Sequence, residues 1–176
     1  NLNISSSTIN LNADNSGLAA DEKLTITEST ITTAEGKSSF IESSGAFEIV
    51  DSEVTVAEDG ILANDSLTIR NSTVTATGTN FGIAVIGGDM SVSGSSTVTA
   101  TGGELALCTM DDEANPAPLV PTFTGTFTVT AGNDAASATE ADASAAATYE
   151  NKYVKIEPVC TVTVNYGIDG VDNKEI

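Results

Sequence analysis

The chain contains no histidine and no tryptophan, only two cysteines, and six lysines and arginines against 25 aspartates and glutamates. Each shortage excludes something. Without histidine there is no imidazole acid or base, no Ser-His-Asp triad and no ordinary zinc site. Without tryptophan, a sugar-stacking platform has only phenylalanine and tyrosine to draw on. The formal net charge of −19 repels phosphate backbones and anionic lipid surfaces, which argues against nucleic-acid or membrane-surface partners. Cys108 and Cys160, 52 residues apart, make neither a zinc cluster nor a CxxC redox motif; a disulfide and two separate thiols both stay open. No apolar run reaches the length of a membrane span, and no signal peptide is visible.

What is present is a repeat. Leu67 to Ala76 reads LTIRNSTVTA, and related wording starts at Leu2, Leu24, Phe47 and Met90, in steps of 22, 23, 20 and 23 residues, the last copy carrying one extra serine. Each copy holds three short alternating apolar runs. In the third copy they are Phe47-x-Ile49, Val54-x-Val56 and Ile61-x-Ala63; in the fourth, Leu67-x-Ile69, Val74-x-Ala76 and Ile83-x-Val85. Period-two alternation of β-branched residues marks strands with one buried face. Runs so short cannot build a sheet inside one repeat, but stacked copies can pair each strand with its counterpart one repeat away. The sequence therefore predicts an all-β fold: a single-stranded right-handed parallel β-helix, three strands per coil, about five coils, with an irregular C-terminal cap. Ser, Thr, Asn and Gly dominate the repeats and form helices poorly. The leucine-rich-repeat signature is absent.

The corners carry their own pattern. Serine recurs at Ser7, Ser29, Ser52, Ser72 and then Ser95 or Ser96, which predicts a ladder of hydroxyls bonding to one another and to turn backbone. Gly17, Gly60 and Gly82 precede the third runs, where positive φ is expected; Phe40 takes that place in the second copy, so its corner should differ.

Beyond Leu107 the pattern fades. Met110 to Pro121 carries three of the four prolines and reads as a loop. Phe123–Thr130 reads as a strand, Ala131–Thr148 as a loop or as a short helix around Ala141–Ala147, and Tyr153–Ile156 as a strand. The expected division is coils over 1–108, a capping region over 109–158, and a strand or the start of a following domain over 159–176. The chain opens in mid-repeat, as a piece of a longer protein would.

The wording DGI-L-A-N-D-S-L-T-I from Asp59, followed by S-T-V-T from Ser72, resembles the parallel β-helix carbohydrate-binding proteins of cellulolytic and gut bacteria, catalytically silent relatives of pectate lyases. The likeness covers about Leu2 to Leu107. It implies a secreted or surface-attached module that binds polysaccharide or a host glycan, with calcium held by acids beside a glycine corner. Glu58, Asp59 and Asp65 match that role, and Asp14 more loosely; the corners at Lys37-Ser38-Ser39 and Thr79-Asn80-Phe81 lack the acids. Calcium takes six to eight oxygens, several of them carboxylates. The bland alternative is a set of solvated surface acids, a second of which is Asp111-Asp112-Glu113.

Two rival functions follow from the same residues. A structural stalk or adhesin segment needs only the stack. A polysaccharide lyase needs a strong base, and Arg70 is the one arginine; a glycosidase needs two carboxylates across a cleft. The outward Thr30-x-Thr32, Thr73-x-Thr75 and Thr97-x-Thr99 look like the ice-binding faces of β-helical antifreeze proteins, although threonine also suits any exposed strand. Phe40, Phe47 and Phe81 read as core or corner packing. The expected function is non-catalytic glycan binding, with the stalk as alternative.

Overall fold

A computed structural model describes residues 1–176 apart from 13, 15, 16, 35, 38, 111–115, 161–162, 165–173 and 176. Five coils follow one another along the chain. The first holds β1 (Leu2–Ser5), β2 (Thr8–Leu11) and β3 (Leu18–Ala20); the second β4 (Leu24–Thr27), β5 (Thr30–Thr33) and β6 (Ser39–Ser43). The third holds β7 (Phe47–Val50), β8 (Glu53–Val56) and β9 (Glu58–Ala63), and the fourth β10 (Leu67–Arg70), β11 (Thr73–Gly78) and β12 (Phe81–Ile86). The fifth holds β13 (Met90–Ser93), β14 (Thr97–Gly102) and β15 (Leu105–Met110). The chain is a parallel β-solenoid.

Three parallel ladders run along the stack. On the first, Leu2, Leu24, Phe47, Leu67 and Met90 lie in register, as the repeat starts require. The second joins Ile31, Val54, Val74 and Val98, and the third joins Ile41, Ile61, Ile83 and Leu107. Apart from the half-buried Leu2 in the first coil, these side chains are at most 2% exposed and fill the interior, so the alternation in the sequence is the alternation of inside and outside. Cys108 lies within β15 and so inside the fifth coil, not beyond the repeats; it is buried, Cys160 is exposed, and both are free thiols.

The serine column is present, with one change from the expected bonding. Each hydroxyl accepts the backbone N–H of the serine one coil earlier rather than another hydroxyl: Ser7 to Ser29 at 3.1 Å, Ser29 to Ser52 at 3.0 Å, Ser52 to Ser72 at 3.1 Å and Ser72 to Ser96 at 3.3 Å. The fifth rung belongs to Ser96; Ser95 is the inserted residue and is exposed. The residue before each of the first four serines turns the corner in the left-handed region: Ser6, Glu28, Asp51 and Asn71 have φ between 47° and 50°, and in the fifth coil Gly94 does so at 68°. Asn71 and Asp51 stack there, amide to carboxylate at 3.0 Å.

Two of the three glycines before the third strands serve a different purpose from the one expected. Gly60 alone of the three has positive φ, at 72°. Gly82 sits inside β12, where a Cβ would come within 2.8 Å of Thr101 backbone atoms; at Gly17 it would meet the Phe40 carbonyl at 1.7 Å. Close approach of the next coil, not the turn, requires glycine at those two positions. The Phe40 corner does differ. Between Ser39 and Ile41 the register slips, so that Asp59 and Gly60 together oppose Phe40 in a bulge.

The C-terminal end closes the stack. β16 (Pro116–Pro118) runs antiparallel to β15, and β17 (Thr122–Thr124) continues the first ladder beside β13. β18 (Phe127–Gly132), β19 (Thr139–Ala141) and β20 (Tyr153–Pro158) form an antiparallel group, and β20 pairs with β14. The proline-rich stretch read as a loop thus contains an edge strand, a place that tolerates proline. Phe123–Thr130 is split between two strands rather than being one. A 3-10 helix spans Ala146–Glu150, later than the expected helix, and buries Tyr149 completely. β21 (Thr163–Val164) pairs antiparallel with β22 (Lys174–Glu175); the rest of the expected strand after Cys160 lies outside the described residues, as do Tyr166 and the acids at 111–113. No helix among the described residues is long and apolar enough to cross a membrane.

Candidate functional site

The bulge that sets Gly60 apart also builds a cleft. After β8 the chain reaches Glu58, whose φ is 76°. An L-residue is held in that region only where its surroundings fix it. Here the fixing group is Thr79 of the next coil: its backbone N–H and its hydroxyl both donate to the Glu58 carbonyl, at 2.7 and 2.9 Å. Asp59 then bridges antiparallel to Gly78. Two carboxyl side chains are thereby carried by an anchored piece of backbone on the outer side of the third ladder.

Facing them are Thr79, Asn80 and Phe81, at the turn into β12. Together with Ile61, Leu62, Ala84 and Met110 they enclose a half-open cleft of about 190 Å³. The volume is below the roughly 300–1,000 Å³ typical of pockets that engulf drug-sized ligands, so it suits one ring-sized group of a longer ligand. Its chemistry is divided. Glu58, Asp59, Thr79 and Asn80 supply acceptors and donors, whereas Phe81, Leu62, Ala84 and Met110 supply an apolar surface.

Glu58 and Asp59, consecutive in the sequence, both line the cleft; Asp65 does not. It follows the far end of β9, roughly 20 Å of extended chain away, beside Gly88, where an added Cβ would touch the Asp65 carbonyl at 2.0 Å. Asp14 is engaged elsewhere, its carboxylate 3.0 Å from Lys37 Nζ. No group of three or more Asp, Glu, Cys or His residues able to hold a metal occurs among the described residues. Two carboxylates fall well short of a calcium shell, so this donor set does not fit the ion that the resemblance implies. Arg70 ends β10 on the first ladder and is exposed, on a different ladder from the acid pair.

A second depression lies over the serine corner, lined by Glu28, Thr30, Asp51, Glu53, Asn71 and Thr73 among others. It is broad and polar and has no apolar floor. Beside it the threonine columns are real. Thr32, Thr55, Thr75 and Thr99 stand in register, and Glu53 interrupts the neighbouring column between Thr30 and Thr73.

Sequence reasoning placed Phe81 in packing and passed over Leu62, Ala84 and Met110. The available signal was the run Phe81–Ile86, FGIAVI, which is apolar at consecutive positions and so on both faces of its strand. The neighbouring strand β15 shares the feature in Leu105–Cys108, whereas strands of the first two ladders such as Leu67–Arg70 and Glu53–Val56 alternate. An apolar outer face marks where something other than water is to sit.

No protein-family model matches the chain, no curated protein matches it, and no solved structure matches its fold.

Proposed function

We propose that this chain is a non-catalytic, extracellular β-solenoid module of a bacterial secreted or cell-surface protein, and that it binds a polysaccharide or glycan. The observation that carries this reading is the cleft on the third ladder. A sugar ring has apolar C–H faces and a polar equator, and the cleft offers the matching division: Phe81, Leu62 and Met110 for the faces, Asp59, Glu58, Asn80 and Thr79 for the hydroxyls. The cleft is half-open, which leaves the rest of a longer ligand outside it. The strongly acidic surface keeps such a module soluble and turns away anionic polymers.

Retention on insoluble glucans or mucin, followed by titration with soluble oligosaccharides, tests the reading. Binding that Phe81→Ala abolishes while leaving the melting temperature within a few degrees supports it. No retention on any glycan overturns it. A spacer role has its own support, since five coils rising roughly 4.8 Å each make a self-propagating rod; retention nowhere would leave that role standing. Release of reducing sugar or unsaturated product would instead show an enzyme.

A further inference from the structure

We infer that Gly103, in the fifth coil and outside the cleft, is a positioning residue for it: it holds the wall Thr79–Asn80–Phe81 in one place, so that the cleft meets its ligand preformed. The inference rests on the glycan-binding reading and adds a residue that governs that same site without touching the ligand.

A glycine stands behind each carbonyl of the wall. A Cβ added at Gly103 would come within 2.1 Å of the Thr79 oxygen. At Gly102 it would meet the Leu105 oxygen at 1.9 Å and the Asn80 oxygen at 2.7 Å, and at Gly78 the Phe81 oxygen at 1.8 Å. None of these three glycines has a positive φ. Their backbone therefore asks for nothing that alanine could not adopt, and space alone demands glycine there.

Hydrogen bonds grip the same turn from both neighbouring coils. On the third-coil side, the Thr79 N–H and hydroxyl donate to the Glu58 carbonyl at 2.7 and 2.9 Å. On the fifth-coil side, the N–H groups of Glu104 and Leu105 donate to the Asn80 carbonyl at 2.8 and 3.3 Å. The wall is thus clamped, and a fifth coil pushed away at Gly103 would carry Thr79 and then Phe81 with it. A wall fixed in advance loses little freedom when a ring settles on Phe81, which is the advantage of a preorganised site. Gly88 supplies a matched comparison. A Cβ there would lie 2.0 Å from the Asp65 oxygen one coil earlier, its φ is not positive either, and it does not line the cleft.

The test compares the whole chain with its Gly103→Ala and Gly88→Ala variants by NMR, amide hydrogen exchange and calorimetric titration. The probes are a glucose hexamer and an N-acetylglucosamine hexamer. In the unsubstituted chain the amides of Thr79, Glu104 and Leu105 should exchange slowly without sugar and change little when it is added. Both variants should lower the melting temperature to a similar degree. Gly103→Ala alone should shift the Phe81 ring signals, speed exchange at Thr79 and weaken the tighter of the two hexamers by about tenfold.

Protection at Thr79 that arises only with sugar would overturn the inference, and that measurement requires no variant to fold. So would equal effects of the two variants on Phe81 and on affinity, which would mean a general loosening of the stack, or a Gly103→Ala variant with unchanged Phe81 signals and affinity. Each of these patterns leaves the glycan-binding reading intact. Binding of neither hexamer nor any other glycan, with Thr79 protected and Phe81 moved by Gly103→Ala alone, would remove that reading and keep the hold of Gly103 on the wall.

Discussion

The backbone N–H of Ser52 donates to the hydroxyl of Ser72, one coil further on, at 3.1 Å, and that hydroxyl donates in turn to the carbonyl of Arg70 at 2.8 Å. The same pair of bonds recurs up the corner, and from Ser29 to Ser96 the serines are no more than 7% exposed. One side chain therefore tethers two coils where the backbone is turning in the left-handed region.

Ser72→Ala removes the acceptor of the Ser52 amide in a buried corner. The expected loss is about 1–3 kcal/mol, read by urea denaturation, with faster hydrogen exchange at the Ser52 amide. Ser96→Ala should behave alike. Ser95→Ala should stay within about 0.5 kcal/mol, because that residue is the exposed insertion. A larger loss at Ser95 than at Ser96 would reverse the assignment of the fifth rung.

Ile69 and Thr75 test the inside and outside of adjacent ladders. Ile69 has no exposed surface and stands between Ile49 and Val92. Ile69→Asp should leave the array unfolded, since a carboxylate there has neither water nor a partner. Thr75, half-buried between Thr55 and Thr99, should accept Asp at about 1 kcal/mol or less. Circular dichroism and a thermal melt separate the outcomes, and equal damage from both would contradict the assignment of faces.

Those two residues also show what was legible beforehand. The Leu67-x-Ile69 and Val74-x-Ala76 pattern states its own burial, because a period of two has one meaning on a pleated strand. The five repeat starts give the register directly. The left-handed corners at Glu28, Asp51 and Asn71 were not legible, since none is a glycine and the conformation comes from the coil beneath each one. In the cap, Gly125 is the break between β17 and β18, with φ of 117°; a single glycine inside FTGTFTVT gave the signal, but the two strands it separates go to different sheets for tertiary reasons. At the site, Glu58 and Asp59 could be picked out as acids beside a glycine. Their partner Phe81 could not, because it meets them only through stacking of one coil on the next.

Gly60 and Gly87 separate two reasons for glycine. Both have positive φ, 72° and 76°, but an added Cβ at Gly60 would lie 2.6 Å from the carbonyl oxygens of Phe81 and Gly82, whereas at Gly87 nothing lies within 4 Å. Gly87→Ala should therefore cost only the left-handed penalty, about 1–2 kcal/mol. Gly60→Ala should cost clearly more and shift Phe81 from the cleft wall. Chemical denaturation of the two variants gives the comparison; matching losses would mean that the coils can part at Gly60 without strain.

Tyr149 provides a pH signature of the cap. Its ring is fully buried and its hydroxyl donates to the Ala143 carbonyl at 2.9 Å. Burial, with a smaller contribution from the Asp142 charge, pushes its pKa up from 10.0 to about 12. The neutral phenol is thus favoured in the folded state. Between these two values the unfolded chain releases this proton and the folded chain keeps it, so stability is full below pH 10 and declines as pH rises toward 12. A two-unit shift corresponds to roughly 3 kcal/mol at most. Absorbance titration should show phenolate from Tyr149 forming only well above pH 10, together with the loss of folded signal, and this late step should be missing in Tyr149→Phe. Tyr149→Phe should lower stability at neutral pH by about 1 kcal/mol through the missing hydrogen bond and flatten the decline above pH 10. A Tyr149 that ionises near pH 10 in the folded protein would show that the cap does not seal this ring from water.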